Sequence, residues 1–522
     1  MLLSDFLDFH ARERRQSPCV VQDDRTLSYA QVLERANKLA NAFIAAGVDV
    51  GDRFALLSKN SIDMVVIYLA ASRVGAVPVP LNWRLAPPEW AYIIDNADAK
   101  VIIAEAEFCS GVEAAGDQIP NVQHRIAIGL QSPKEKWVDF GSWWGECSAA
   151  TPQNRVCEDD ALYQMYTSGT TGRPKGAVLT HRSVITNSLQ CMPYFSGSLV
   201  PDRRMLIVMP MFHAGATSSV IGCLISGTTM IIHNDFSPDR LAQALSEHQI
   251  NVVNLVPAMI QAMLVHVPDL AERNYSNLEV IVYGASAIAA DTLRRAMDIF
   301  QCDFFQGYGQ TEASACLTML TAQDHRRALE SRPDLLLSAG RSVMGTTLRI
   351  VDGAGCELPR GEVGELVARG PQTMKGYWRL PEATAATLAA GWLHTGDAAF
   401  MDKEGYIYIQ DRVKDMVVSG GENIYPREIE NVLFDHPHIT DAAVIGVPDT
   451  QYGEALMAFL VLSGEATLQA DDIIAFCRTK LGGYKVPRQF KFVEELPRNS
   501  SGKVLKTVLR EPYWSAGDRA IS

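Results

Sequence analysis

The sequence predicts an α/β fold with a large N-terminal domain of stacked, mostly parallel β-sheets and helices. A small barrel-like antiparallel β unit and a small, mobile α+β domain are expected to follow it. Three observations carry this expectation. Apolar strand-like runs alternate with helical runs as far as Phe300, the rhythm of parallel sheets covered by helices. Beyond Arg341 the texture changes to short alternating segments broken by Gly and Pro, TLRIVDGAGCELPRGEVGELVARG. After DRVKD (Asp411–Asp415) comes a compact stretch with its own helix and strands.

The elements follow in order. Ser28 and Gln31 form a capping-box pair ahead of apolar positions 32, 33, 36, 39, 40 and 43, which recur at helical spacing. Phe54–Ser58 reads as a strand and Ile62–Val74 as a helix. Later come strands at Leu206–Met209, Thr228–His233, Asn251–Val256 and Leu278–Tyr283. Between them lie helices at Gly215–Ile225, Pro238–His248, Pro257–His266 and Ala289–Phe300. Near the C-terminus a helix is expected at Pro426–Phe434, with strands AAVIGV and MAFLVL. The domains divide as 1–413 and 414–522.

Composition narrows the function. The chain has 522 residues, 47% hydrophobic and 20% charged, with a net charge of −13. That acidity argues against nucleic acid, whose phosphates need clustered Lys and Arg. From Arg478 to Ser522, however, ten basic residues face four acidic ones, a net of +6, so this end suits an anion. The 10 cysteines stand without a CxxC pair and the 11 histidines without an HExxH. This pattern fits a reducing compartment and argues against a disulfide frame or a zinc site. The N-terminus, MLLSDFLDFHARERRQ, carries charge too early for a signal peptide. Runs such as MVVIYLAA (Met64–Ala71) are too short to span a bilayer. A cytoplasmic protein is expected, with no transmembrane segment; peripheral membrane contact and a homodimer are both left open.

One stretch stands out chemically. Met165–Ala177 reads MYTSGTTGRPKGA. Its Gly-rich backbone, the hydroxyls of Thr167, Ser168, Thr170 and Thr171, and the nearby Lys175 suit a polyphosphate. A Walker loop requires Lys directly after its last Gly and then Ser or Thr for Mg²⁺. Here Gly172 is followed by Arg173, Pro174, Lys175 and Gly176, so both the spacing and the metal hydroxyl differ. This loop and several motifs below are expected in strand-to-helix turns at the carboxyl ends of strands.

YTSGTTGRPKG resembles the signature of the adenylate-forming superfamily, which includes acyl-CoA synthetases, aryl-CoA ligases, adenylation domains and beetle luciferases. Four more motifs follow in family order: YGQTEASA (Tyr308–Ala315), TGD (Thr395–Asp397), DRVKDMVVSGGENIYPREIE (Asp411–Glu430) and PRNSSGK (Pro497–Lys503). The resemblance covers essentially the whole chain and is greatest to fatty and aryl acyl-CoA synthetases. It implies an AMP-forming acid–thiol ligase that uses ATP, coenzyme A, a carboxylic acid and Mg²⁺. A stand-alone adenylation enzyme that loads an acyl carrier protein is the alternative.

The resemblance also implies residue roles. Thr167, Ser168, Gly169, Thr170, Thr171, Gly172 and Lys175 would hold the β- and γ-phosphates. Thr311 would donate to the α-phosphate, and Glu312 would help hold Mg²⁺. Gly284, Ala285, Ser286 and Tyr308 would sandwich adenine, with Gln306 meeting its amino group and Gly307 and Gly309 completing the nucleotide contacts. Asp397 and Arg412 would meet the ribose. Catalytic Lys503 would neutralise charge between the carboxylate and the α-phosphate. Lys414 would be a hinge whose rotation withdraws Lys503 and brings in Ser419, Gly420 and Gly421 as a tunnel for the pantetheine arm. PRNSSGK also fits a pattern of lysine acetylation, which would remove the Lys503 charge.

By the same resemblance the acyl pocket draws on His213, Ala214, Gly215, Ala216, Val256 and Cys316, with His213 gating the carboxylate. The other candidates are apolar or small, and burying an unpaired charge among them is costly. A hydrophobic monocarboxylate is therefore favoured over a dicarboxylate or amino acid. Medium- and long-chain fatty, aromatic and bulky alicyclic acids all fit.

Overall fold

The computed structural model describes residues 1–514 apart from 154–155, 168–172, 196, 286–287, 289, 413–416, 425, 435, 464–467, 498–503 and 505. Among the described residues the strands form five sheets. The largest has nine strands in the order Arg341–Ser342, Thr318–Leu320, Asp303–Tyr308, Val280–Gly284, Val252–Leu255, Arg204–Ile207, Thr229–Ile232, Pro18–Gln22 and Arg25–Ser28. Its inner strands, from Asp303–Tyr308 to Pro18–Gln22, run parallel, and both edges turn antiparallel. A second, five-stranded sheet is parallel throughout and is centred on Arg53–Leu57 and Val101–Glu105. The α/β expectation is met.

Local chemistry sets the helices that join these strands. Ser28 and Gln31 do form a reciprocal capping box, and the helix runs Tyr29–Ala45. Ser61 accepts a hydrogen bond from the Met64 amide and starts the helix Ile62–Val74. Gly75, at φ 71°, ends it in the left-handed region that only glycine adopts cheaply. Apart from Asp63 every residue of that helix is buried, as its uniform hydrophobicity requires. The later helices Ala214–Ser226, Pro238–Glu247, Pro257–His266 and Ala290–Phe300 fall within a residue or so of expectation.

The Gly/Ser/Thr stretch departs from expectation. Ala161–Thr167 pairs antiparallel with Lys175–Thr180, so the intervening residues join two strands of a hairpin. The helix begins only at His181, capped by Thr180. Pro174 and the β-prone run GAVLT hold the chain extended after the loop, and that signal outweighs the strand-to-helix rule. Gly376–Tyr377 adds a third strand to this hairpin. TGD likewise lies inside the strand Leu393–Met401, and YGQTE leads from a strand into a short 3₁₀ turn, Thr311–Ala313. YGASA does run from a strand toward a helix.

The antiparallel unit is a four-stranded sheet, Thr347–Val351, Gly364–Arg369, Leu393–Met401 and Ile407–Arg412. The C-terminal region builds a sheet from Glu422–Ile424, Val417–Ser419, Gly453–Leu462, Ile439–Asp449 and Gln489–Phe492. The helices Pro426–Phe434 and Ala470–Arg478 belong to this region. Its apolar cluster around Val444, Leu456 and Ile473 is distinct from the main N-terminal core. No described helix is long and apolar enough to cross a membrane.

Three histidines sit in this framework as neutral bases. Burial depresses His181, His233 and His325 from the ordinary 6.5 to about 4. The Nδ1 of His181 accepts the Leu3 amide at 3.1 Å, which pins the N-terminal helix Leu3–Glu13. His325 sits between the Thr321 carbonyl and the Tyr283 hydroxyl, each at 2.8 Å. Because the folded state resists protonation, the unfolded chain gains protons first as pH falls. The stability these groups contribute is present above 6.5 and is lost progressively toward about 4. Melting temperature is expected to fall across that window, and His181→Gln should flatten part of the decline in thermal scans at stepped pH.

Candidate active site

Two of the sheets converge on one carboxylate. Glu312 follows the strand Asp303–Tyr308 of the large sheet and is 7% exposed. Its Oε1 accepts the Thr167 hydroxyl at 3.1 Å and the Tyr377 hydroxyl at 2.7 Å. Both donors belong to the hairpin sheet, so the root of the Gly-rich loop is tied to the end of the parallel sheet. Oε2 accepts no hydrogen bond among the described residues. Lys175, on the far side of the loop, lies 5.1 Å from the Tyr377 ring centre. Ser168, Gly169, Thr170, Thr171, Gly172, Ser286, Lys414 and Lys503 lie outside the described residues.

The expected nucleotide residues gather beside this node. The Tyr308 hydroxyl donates to Asp397 Oδ2 at 2.5 Å, and Asp397 is almost fully buried. Arg412 stands opposite Asp397 in the strand pair. Gly284 and Gly307 are also register partners, and a Cβ on Gly284 would lie 2.2 Å from the Gly307 carbonyl oxygen. Ala285 then turns at φ 68°, a left-handed conformation that non-glycine residues adopt at some cost. Gln306 Oε1 is buried without a hydrogen-bond partner among the described residues, as is Gln310 Nε2.

These residues line a cavity of about 830 Å³ that continues into an apolar chamber. His213, Ala214, Gly215, Ala216, Val256 and Cys316 all contribute to its wall, and so do Thr311 and Gly309. The sequence did not reveal that Met192, Phe195, Leu199 and Met205 also line it. The Cys316 thiol is pushed well up by its hydrogen bond with Cys191 and by burial, so it forms a neutral wall. Ser188 adds a buried hydroxyl with no partner among the described residues.

Two buried asparagines hold the chamber's loops, and neither was evident from the sequence. Asn60 donates to the carbonyls of Met209 and His233 and accepts the Met211 amide at 2.7 Å. This fixes the segment that leads into His213. Asn187 brackets Cys316, donating to its carbonyl at 2.8 Å and accepting its amide at 3.0 Å. Both sit in polar stretches, SKNSID and TNSLQ, so no local signal marks them, although burial obliges each to find partners.

The C-terminal region closes the cavity. Ser419, Gly420, Gly421 and Glu422 all line it. A Cβ on Gly421 would meet Val256 at 2.9 Å, so the loop passes against the apolar chamber. Glu422 Oε2 lies 3.2 Å from His213 Nε2 and Oε1 lies 3.6 Å from Arg84. Burial pushes the Glu422 carboxyl up, but the charges of His213, Arg84 and Lys485 and the His213 hydrogen bond outweigh it. The net result lies below the ordinary carboxylate value, so Glu422 is ionised. Among the described residues no group of three or more His, Cys, Asp or Glu side chains could hold a metal by itself.

The cavity thus carries hydroxyls and carboxylates beside apolar walls and a glycine loop, the make-up of an enzyme site. Comparison with known proteins sharpens this. Residues 7–378 match the AMP-binding enzyme family and residues 428–503 its C-terminal domain. A feruloyl-CoA synthase from Amycolatopsis sp. is 38% identical over 96% of this chain and 98% of its own. A fatty acid–[acyl-carrier-protein] ligase, ScoC, from Streptomyces coeruleorubidus is 34% identical over 98% and 97%. The amide bond synthetase McbA from Marinactinospora thermotolerans superposes with TM-score 0.87 at 29% identity, over 98% and 100% of the two chains. The chain therefore belongs to the AMP-binding, adenylate-forming superfamily, in its acyl-CoA synthetase family, and is an acid–thiol ligase.

One solved enzyme is similar in two states. The o-succinylbenzoate CoA synthetase from Bacillus subtilis, 27% identical, gives TM-score 0.85 as a double mutant bound with its product analogue OSB-NCoA. That match covers 97% of this chain and 98% of the other. In complex with the acyl-adenylate intermediate OSB-AMP it gives 0.69, over 97% of each chain. The present arrangement is thus closer to that enzyme's product-analogue complex.

The contact between Gly284 and Gly307 yields a local test. Gly284→Ala places a methyl group against a backbone oxygen, which has no rotamer to yield. We expect the melting temperature to fall by roughly 5 °C or more, whereas Gly145→Ala, where the space is open, should leave it unchanged.

Proposed function

We propose that this enzyme activates a hydrophobic monocarboxylic acid with ATP and transfers the acyl group to coenzyme A. In the first step a carboxylate oxygen attacks the α-phosphorus, the bond to the β-phosphate breaks, and pyrophosphate leaves. In the second step the CoA sulfur attacks the acyl carbon and AMP departs. The observation that carries this reading is the single cavity shared by the Tyr308–Asp397 end, the apolar chamber and the Gly420–Gly421 loop. A nucleotide, an acid and a thiol can meet there.

The roles follow from chemistry and position. Tyr308, Gly284, Ala285 and Ser286 pack adenine, and the unpaired Gln306 oxygen accepts its amino group. Asp397 accepts the ribose hydroxyls, beside Arg412. Thr311 and the residues from Thr167 to Lys175 take the phosphates. Glu312 fits Mg²⁺, a hard cation that accepts one carboxylate oxygen together with substrate phosphates. Its Oε2 is the oxygen left for the task, and the bound ion would neutralise phosphate charge. Lys503 supplies the ammonium of the adenylation step. Lys414 is the hinge that exchanges it for the Ser419–Gly421 loop. The likeness to a product-analogue complex supports assigning the present arrangement to thioester formation.

Most of the chamber's wall is apolar, but on the cavity lining Ser188 and Gln310 each carry a buried polar atom with no partner among the described residues. Such atoms are costly unless a ligand satisfies them. Together they favour an aromatic or alicyclic acid bearing oxygen over a plain alkyl chain. A panel of carboxylic acids scored by CoA-dependent AMP release tests this; a strict preference for saturated fatty acids would refute it. ScoC's similarity keeps a carrier protein as the second acceptor, and exchanging CoA for holo-carrier in the thioester assay separates the two.

The two half-reactions are expected to separate by mutation. Lys503→Ala should lower ATP–pyrophosphate exchange by roughly a hundredfold or more, yet spare thioester formation from supplied acyl-adenylate. Lys414→Pro should do the reverse. Equal loss of both steps in either variant would overturn the assignment.

A further inference from the structure

We infer that Glu89 and Lys485 form a buried electrostatic latch that positions the C-terminal region over the cavity for thioester formation. The inference rests on the two-step reading above. Lys485 Nζ lies 2.9 Å from Glu89 Oε1, and the side chains are 4% and 11% exposed. The partners are 396 residues apart in sequence, one in the matched C-terminal domain and one in the matched N-terminal region. Glu89 lies outside the cavity, whereas Lys485 stands on its lining.

The socket is built before the lysine arrives. Glu89 is the third residue of the helix Pro87–Asn96, and its Oε2 accepts the Ala86 amide at 2.9 Å. That bond holds Oε1 outward in one orientation. On the other side, Lys485 ends the turn Gly483–Lys485, which presses onto the segment preceding the helix. A Cβ on Gly482 would lie 2.3 Å from the Arg84 carbonyl oxygen, so backbone meets backbone there. Beside it, Asn82 Nδ2 donates to the Tyr484 hydroxyl at 3.0 Å. The Tyr484 ring packs against apolar clusters of both regions.

A buried pair of this kind is specific more than adhesive. Desolvating both charges offsets most of their attraction, whereas removing one member leaves the other's burial less well compensated. A slightly rotated domain would impose the same penalty on both charges, because each would stay dry without its partner. Full separation returns both to water. The pair therefore favours two arrangements, fully seated or fully released, and disfavours those between. This suits a domain that must leave and return in every turnover.

The test uses full-length protein and two separate half-reactions. Glu89→Gln keeps the helix cap, since Gln serves at that position, and removes the charge; Lys485→Met keeps the length of the stem. Each should slow thioester formation from supplied acyl-adenylate and CoA by about tenfold or more, and Glu89→Gln, outside the cavity, should leave ATP–pyrophosphate exchange within about twofold of wild type. The double variant, with no lone charge left to bury, should be no worse than either single one. Unaffected thioester formation in both singles, parallel loss of both half-reactions, or additive losses in the double variant would each overturn the latch. Wild type assayed alongside separates the two readings. Its own failure to form thioester would overturn the proposed function, whereas a competent wild type with unaffected variants would overturn only the latch.

Discussion

A buried carboxylate must be satisfied, and the architecture around the cavity depends on how Glu312 is. It stands at the end of a parallel sheet, where chain direction and strand twist bring several loops together. Two hydroxyls, from Thr167 and Tyr377, reach it from a different sheet. Those two bonds hold the hairpin at the mouth of the large sheet, and the Gly-rich loop hangs from the same hairpin. Losing either donor would leave charge less well compensated in a dry setting, which proteins avoid. The hairpin's seat on the large sheet is therefore set by the charge it stands beside.

The cavity is polar where charge is handled and neutral where it is not. Asp397, Glu312 and Glu422 are each held by a hydroxyl, an imidazole or a guanidinium. The apolar chamber draws its shape from backbone segments clamped by Asn60 and Asn187. These asparagines decide where His213 and Cys316 stand, and Asn187 also lines the cavity itself. Rigid loops in an apolar wall let small differences in substrate shape register as differences in binding.

How much of this was legible in the sequence depended on range. The helix Ile62–Val74 was readable to the residue because Ser61 and Gly75 mark its ends locally. The alternation that builds the large sheet was equally local. The hairpin around the Gly-rich loop was misread because its pairing partner, Lys175–Thr180, is short and leads at once into a helix. The recurring motifs located Tyr308, Asp397 and Glu312, which the fold does bring together. Tyr377, Asn60 and Asn187 had no such marker: their partners lie 65, 151 and 129 residues away, and only the folded chain joins them. The seating of Tyr484 and Lys485 was invisible for the same reason.

Tyr484 belongs to two hydrophobic cores at once, and this has a thermal consequence. Whatever holds the C-terminal region in place includes apolar surface shared across the boundary as well as charge. Burial of that kind is driven by water's entropy near room temperature and weakens on cooling. The seated arrangement is accordingly favoured by warmth over the mild range where the protein stays folded. Growth temperature would thus bear on how firmly this region is seated, in part through a single aromatic ring.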